Sequence, residues 1–63
     1  MTRQEFKIAR YALGLSVVQL GRILDTDPRN IRRWENGSRP PNPTACQVLR
    51  WMQAGFRPEE FSR

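Results

Sequence analysis

Apolar residues recur at three- and four-residue spacing along this chain, in short runs divided by polar breaks, and no stretch reads as a strand or a repeat. Phe6, Ala9 and Leu13 form the stripe of a first amphipathic helix. Ahead of them Thr2-Arg3-Gln4-Glu5 fits a capping box, in which hydroxyl and carboxylate each satisfy a free backbone N–H. Gly14 offers the backbone freedom of a helix end, so this helix is predicted from about Arg3 to Leu13. Ser16 is the next N-cap candidate, and Leu20, Gly21 and Leu24 line one face of a second helix. Inside a helix Gly costs about 1 kcal/mol relative to Ala, which a close approach by another helix at Gly21 would offset. Asp27 caps a third helix opened by Pro28 and reaching about Asn36, with Gly37 as its left-handed stop. Two short helices joined by so few residues is an unusual arrangement.

The run Ser38-Arg39-Pro40-Pro41-Asn42-Pro43 cannot be helical, because each proline disfavours that conformation in the residue before it. Asn42 and Pro43 open a fourth helix ending near Ala54, closed by Gly55, with Ala45, Val48, Leu49 and Met52 on its apolar side. Pro58-Glu59-Glu60 is placed to start one further turn carrying Phe61. The predicted fold class is all-α, a compact bundle of four to five helices forming a single domain over residues 1–63.

Length and composition narrow the chemistry. A chain of 63 residues keeps roughly 40% of its unfolded surface exposed after folding, which leaves little room for a deep pocket. There is no His, and the single Cys46 makes neither a disulfide within the chain nor a zinc site by itself. The usual nucleophile–base pairs are therefore missing, and an enzyme, a metal site, a cofactor or a small-molecule ligand is not expected. No run approaches the roughly 18–20 apolar residues that span a bilayer, and the N-terminal residues lack the core of a signal peptide. A cytoplasmic protein with no membrane partner is expected. Eleven Lys/Arg against six Asp/Glu give a net charge of +5, which in a small aromatic-containing domain points to a polyanion or a partner protein.

The charges are not scattered. On a wheel for the third helix, Ile31 and Trp34 mark the buried side, while Arg29, Arg32, Arg33 and Asn36 gather around the opposite pole. One reading is a solvated cationic face. The other is nucleic-acid contact, since arginine is used three times and lysine never, and guanidinium suits phosphate and guanine edges. On the first helix Arg10 shares the apolar face with Phe6, Ala9 and Leu13. An unpaired cation there costs several kcal/mol, and Glu35, beside the Ile31 side of the third helix, is the best placed carboxylate. A bridge between Arg10 and Glu35, tying the first helix to the third, is therefore expected, the alternative being a stem that snorkels to water.

Leu13-Gly14-Leu15-Ser16, Leu20-Gly21, Leu24 and Ile31-Arg32-Arg33-Trp34-Glu35-Asn36-Gly37 resemble the Cro/C1-type helix-turn-helix family, also called XRE or lambda-repressor-like. The likeness covers about Phe6 to Pro41, and its Trp-Glu-Asn-Gly end is the most specific part. It implies a lambda-repressor-like bundle that binds double-stranded DNA as a transcriptional regulator, usually a homodimer on a palindromic operator. In so small a chain it implies a repressor encoded by a bacterium, phage or other mobile element and associated with the nucleoid through DNA. By this resemblance residues 16–36 are the helix-turn-helix, with Ser16 to Leu24 supporting and Asp27 to Asn36 recognising. Pro28, Arg29, Arg32 and Arg33 then take the base-reading positions, Arg29 and Arg33 being the preferred guanine readers. Asn36, Gly37, Ser38 and Arg39 match the loop that meets the phosphate backbone, and Ser16 meets it through the N–H groups and dipole of its helix. Arg10 and Glu35 match a pair that forms a buried salt bridge in phage repressors. Three positions depart from the pattern: Val17 stands for a backbone-contacting Gln, Asp25 for the turn Gly, and Thr26 for a small apolar residue.

Some apolar residues are left over. Cys46, Val17 and Val18 are expected to be partly buried with no special chemistry. Trp51 lies off the centre of the fourth helix's stripe, and Phe56 and Phe61 follow it. Phe56 and Phe61 either fold back over the small core or, with Trp51, build a symmetric dimer contact in the region 43–63. Two rival partners also stand: an acidic protein surface, met by an adaptor or inhibitor on this scaffold, and structured RNA, whose deep, narrow major groove suits a rigid helix poorly.

Overall fold

The structure, a computed structural model, describes residues 1–58. Phe61 and the turn expected to carry it lie outside the described residues. Four helices and no strand are found among the described residues: α1 (Arg3–Ala12), α2 (Val17–Leu24), α3 (Pro28–Asn36) and α4 (Pro43–Gln53). Each begins at a residue whose side chain binds the helix's own free N–H groups. Thr2 accepts the Glu5 N–H at 3.1 Å while Glu5 accepts the Thr2 N–H at 2.8 Å. Ser16 and Gln19 make the same exchange at α2, at 3.0 and 2.8 Å, a second capping box. Asp27 and Asn42 cap α3 and α4, each followed by Pro, whose missing N–H is no loss in a first turn.

The link from α2 to α3 is short because three residues fit closely. Asp25 adopts φ 54°, a left-handed conformation that Asp tolerates better than most side chains. Gly21 is buried, and a Cβ there would lie 2.9 Å from the Thr26 carbonyl and 3.5 Å from the Pro28 ring. The absent side chain thus admits the turn and the first residue of α3 against α2. Thr26, in place of an apolar residue, accepts a hydrogen bond from Asn30 Nδ2 at 3.1 Å and ties the turn to α3.

Phe6, Leu20, Ile31, Leu49 and Met52 are fully buried, one or two from each helix, with Ala9, Leu15, Ala45 and Cys46 around them. Burying each large side chain contributes about 1.5–3 kcal/mol. α3 packs on both α1 and α2, and α4 packs on α1. Trp34 is half-buried, its ring edge-on to Phe6 with centroids 5.6 Å apart. Val18 lies 44% exposed, contrary to expectation, because it sits on the outer side of α2. Phe56 does not fold over the core: it stands 52% exposed, edge-on to the equally exposed Trp51 at 6.5 Å.

Candidate nucleic-acid interface

The core fixes which way α3 faces. Ile31 enters the core, Trp34 leans on Phe6, and Glu35 meets Arg10. Arg10 Nε donates to Glu35 Oε2 at 2.6 Å and Nη2 to Oε1 at 2.9 Å, a bidentate fork, and Nη1 donates to the Leu15 carbonyl at 2.9 Å. The hydrogen bond to Glu35 outweighs desolvation and raises the Arg10 pKa, so the guanidinium stays charged in the core. Its face also lies over the Tyr11 ring, 4.6 Å from the centroid.

With that side fixed, Arg29, Arg32, Arg33 and Asn36 project into solvent. Pro28 does not join them fully. Its ring is half-buried against Gly21, since closing the short turn presses it onto α2. Among the described residues no carboxylate pairs with Arg32, Arg33 or Arg39. Arg33 Nη1 makes only a long contact of 3.4 Å with Asn30 Oδ1. Arg29 differs: Nη2 lies 3.0 Å from Asp27 Oδ2 in an exposed ion pair. The Arg29 side chain, and then its backbone N–H, holds the Asp27 carboxyl below the usual carboxylate range, and Asp27 in turn raises Arg29.

The two flanks of α3 carry the remaining candidates. On one flank an open groove is lined by Ser16, Gln19 and Arg32, so the start of α2 opens on the same side as the arginine strip. Ser16's own N–H is occupied by Gln19, which leaves its hydroxyl proton as the donor toward a ligand. On the other flank Asn30, Trp34, Arg39 and Pro40 line a second groove. Gly37 ends α3 at φ 88°. The Ser38 N–H donates to Asn36 Oδ1 at 2.8 Å and the Arg39 N–H to the Arg33 carbonyl at 3.3 Å. Those two backbone donors serve the turn itself, which leaves the Ser38 hydroxyl, the Asn36 side-chain amide and the Arg39 guanidinium as exposed donors there.

Sequence reasoning missed Arg3. Its Nη1 donates to the Asn36 carbonyl at 3.1 Å, and its guanidinium lies across Gly37, where a Cβ would stand 2.8 Å away. A cation at the C-terminal end of α3 complements the helix dipole. The glycine at 37 is the signal that something packs there, but nothing in the sequence says which residue does.

Among the described residues no group of His, Cys, Asp and Glu is placed to hold a metal ion, and no helix is long and apolar enough to cross a membrane. Two short helices meeting through a left-handed turn, the second held on its inner side and cationic on its outer one, define a helix-turn-helix domain. The family profile described as Helix-turn-helix matches residues 6–49, more than half of the chain. The chain belongs to the Cro/C1-type helix-turn-helix family, XRE, a family of DNA-binding regulators that are not typically enzymes. The match runs past Pro41 into α4, further than the resemblance read from the sequence. Searches of curated proteins and of solved structures give no match.

Proposed function

We propose that this chain is a sequence-specific transcriptional repressor that binds a palindromic operator as a homodimer. The observation carrying this reading is the exposed Arg29, Arg32 and Arg33 strip on a helix locked from behind by Ile31, Trp34 and Glu35. A helix fits the major groove of B-DNA, and guanidinium pairs with guanine O6 and N7. In this mechanism α3 enters the groove, Arg29 and Arg33 read guanines, and Arg32 reads the neighbouring edge on the α2 side. Pro28 forms the rim where α3 begins. Ser16, Ser38 and Arg39 hold phosphates on the two flanks, with Asn36 and Gly37 shaping the turn. Trp51 and Phe56, each about half exposed, form the core of the dimer contact. The pair of α3 helices then meets successive major grooves about 34 Å apart. Where the operator overlaps a promoter, bound protein excludes polymerase, and repression follows the protein's own concentration.

Titration of labelled duplex pools at several salt concentrations, with sequence selection, tests this reading. Saturable binding to a two-fold symmetric optimum, with a dimer by sedimentation in the same buffer, supports it. Weak binding indifferent to sequence would overturn it and favour an interaction module on this scaffold.

A further inference from the structure

The cap of α3 does more than close a helix. Asp27 Oδ1 accepts the Arg29 backbone N–H at 2.8 Å, which is the capping bond, and also Arg29 Nε at 3.3 Å. Asp27 Oδ2 accepts Arg29 Nη2 at 3.0 Å. The guanidinium is therefore gripped along its Nε–Nη2 side. Of its five N–H donors, both on Nη1 and the second on Nη2 remain, and one from each nitrogen makes up the end-on edge that matches O6 and N7 of guanine.

Folding does not account for this second grip. Ser, Thr or Asn would cap α3 as well, and an ion pair with side chains 76% and 45% exposed adds little stability. A carboxylate beside a phosphate polymer is unfavourable unless a cation covers it, and here one does. The pair as a whole carries no net charge. It therefore selects among bases while adding little to sequence-independent attraction, to which the uncovered cations contribute, Arg39 foremost.

We propose that Asp27 is a positioning residue that holds the Arg29 guanidinium end-on toward the groove and so makes the base pair facing the first turn of α3 a G·C pair. This rests on the repressor reading above. Asp27→Asn isolates the effect, because Asn keeps a capping oxygen but loses the charge and the second acceptor. Should that variant fold poorly, Asp27→Ser also keeps a capping oxygen and is too short to reach the guanidinium.

The experiment selects sequences from randomised duplex pools with the wild-type chain, Asp27→Asn, Arg29→Ala and the double variant, and records the salt dependence of each on random duplex. The wild-type operator should contain one guanine per half-site whose preference falls about tenfold in Arg29→Ala. Asp27→Asn should lose most of the same preference, and the double variant should be no worse than Arg29→Ala alone. Asp27→Asn should also bind random duplex more tightly, with a salt slope steeper by about one, because Arg29 is then an uncovered cation. Full preference retained in Asp27→Asn, or a selected operator with no position that depends on Arg29, overturns the inference and leaves the repressor reading intact. A wild-type chain with no sequence optimum overturns both.

Discussion

Replacing Glu35 with Ala leaves the Arg10 guanidinium inside the protein without its counterion. The two side chains are only 7% and 9% exposed, and both bonds of the fork are short, at 2.6 and 2.9 Å. Removing one partner of such a pair costs about 3–5 kcal/mol, since the remaining charge is stranded. The Leu15 carbonyl and the Tyr11 ring still touch the guanidinium in the variant, which sets the expectation at the lower end, about 3 kcal/mol. A domain of this length has a total stability of roughly 3–9 kcal/mol, so the loss is a large share of the whole. At about 4–8 °C per kcal/mol for so small a domain, the melting temperature should fall by about 12–24 °C. Thermal melts followed by far-UV circular dichroism measure this directly. Arg10→Met combined with Glu35→Leu removes both charges and should melt much closer to wild type. An unchanged melting temperature in Glu35→Ala would refute the stranded-charge argument. A double variant as unstable as the single would trace the loss to packing instead.

Arg33→Ala should cost about 1–3 kcal/mol on the selected operator and relax one base position, whereas equal loss on operator and random duplex would remove its reading role. Arg39→Ala should weaken all duplexes alike and make the salt slope shallower by about one, measured by titration across salt concentrations. Gly21→Ala gains about 1 kcal/mol in helix propensity, but its Cβ would stand 2.9 Å from the Thr26 backbone carbonyl. The clash should dominate and lower the melting temperature, with a net cost of about 1–2 kcal/mol. Asp27 is held below its ordinary pKa by the Arg29 side chain and backbone N–H, and Glu5 by the Thr2 backbone and hydroxyl. A folded pKa below the unfolded value means that both groups stabilise the domain above about pH 4 and lose this effect as the pH falls through the folded values. Urea melts from neutral to acid pH should show that loss, and Asp27→Asn should flatten the acid limb.

What the sequence discloses here is local chemistry. Thr2, Ser16, Asp27 and Asn42 announce helix starts because a cap binds N–H groups two or three residues away, and Gly14, Gly37 and Gly55 announce stops by their positive φ. The first helix ends at Ala12 with Leu13 as its cap, in line with the expected end at about Leu13. The arginine strip was legible for the same reason, as helical periodicity sorts inner from outer positions. The grip of Asp27 on Arg29 spans only two residues, but helical periodicity and capping rules specify the cap and not the side-chain pair. Arg3 on Asn36 was out of reach, because a contact across 33 residues depends on how α1 and α3 cross. Exposure of Ile8 and Tyr11 on α1 is likewise decided by the bundle, which covers only one side of that helix.

α3 is nine residues long, too short to be helical on its own merits. Its shape is imposed by its neighbours: Gly21 and Thr26 at its start, Ile31, Trp34 and Glu35 along its inner side, Arg3 at its end. None of these anchors uses the side chains of Arg29, Arg32 or Arg33. The outward residues can therefore be exchanged as a set with little penalty to the scaffold. Under the proposed function, target choice becomes a replaceable layer, free to drift or to be redesigned while the domain beneath stays the same.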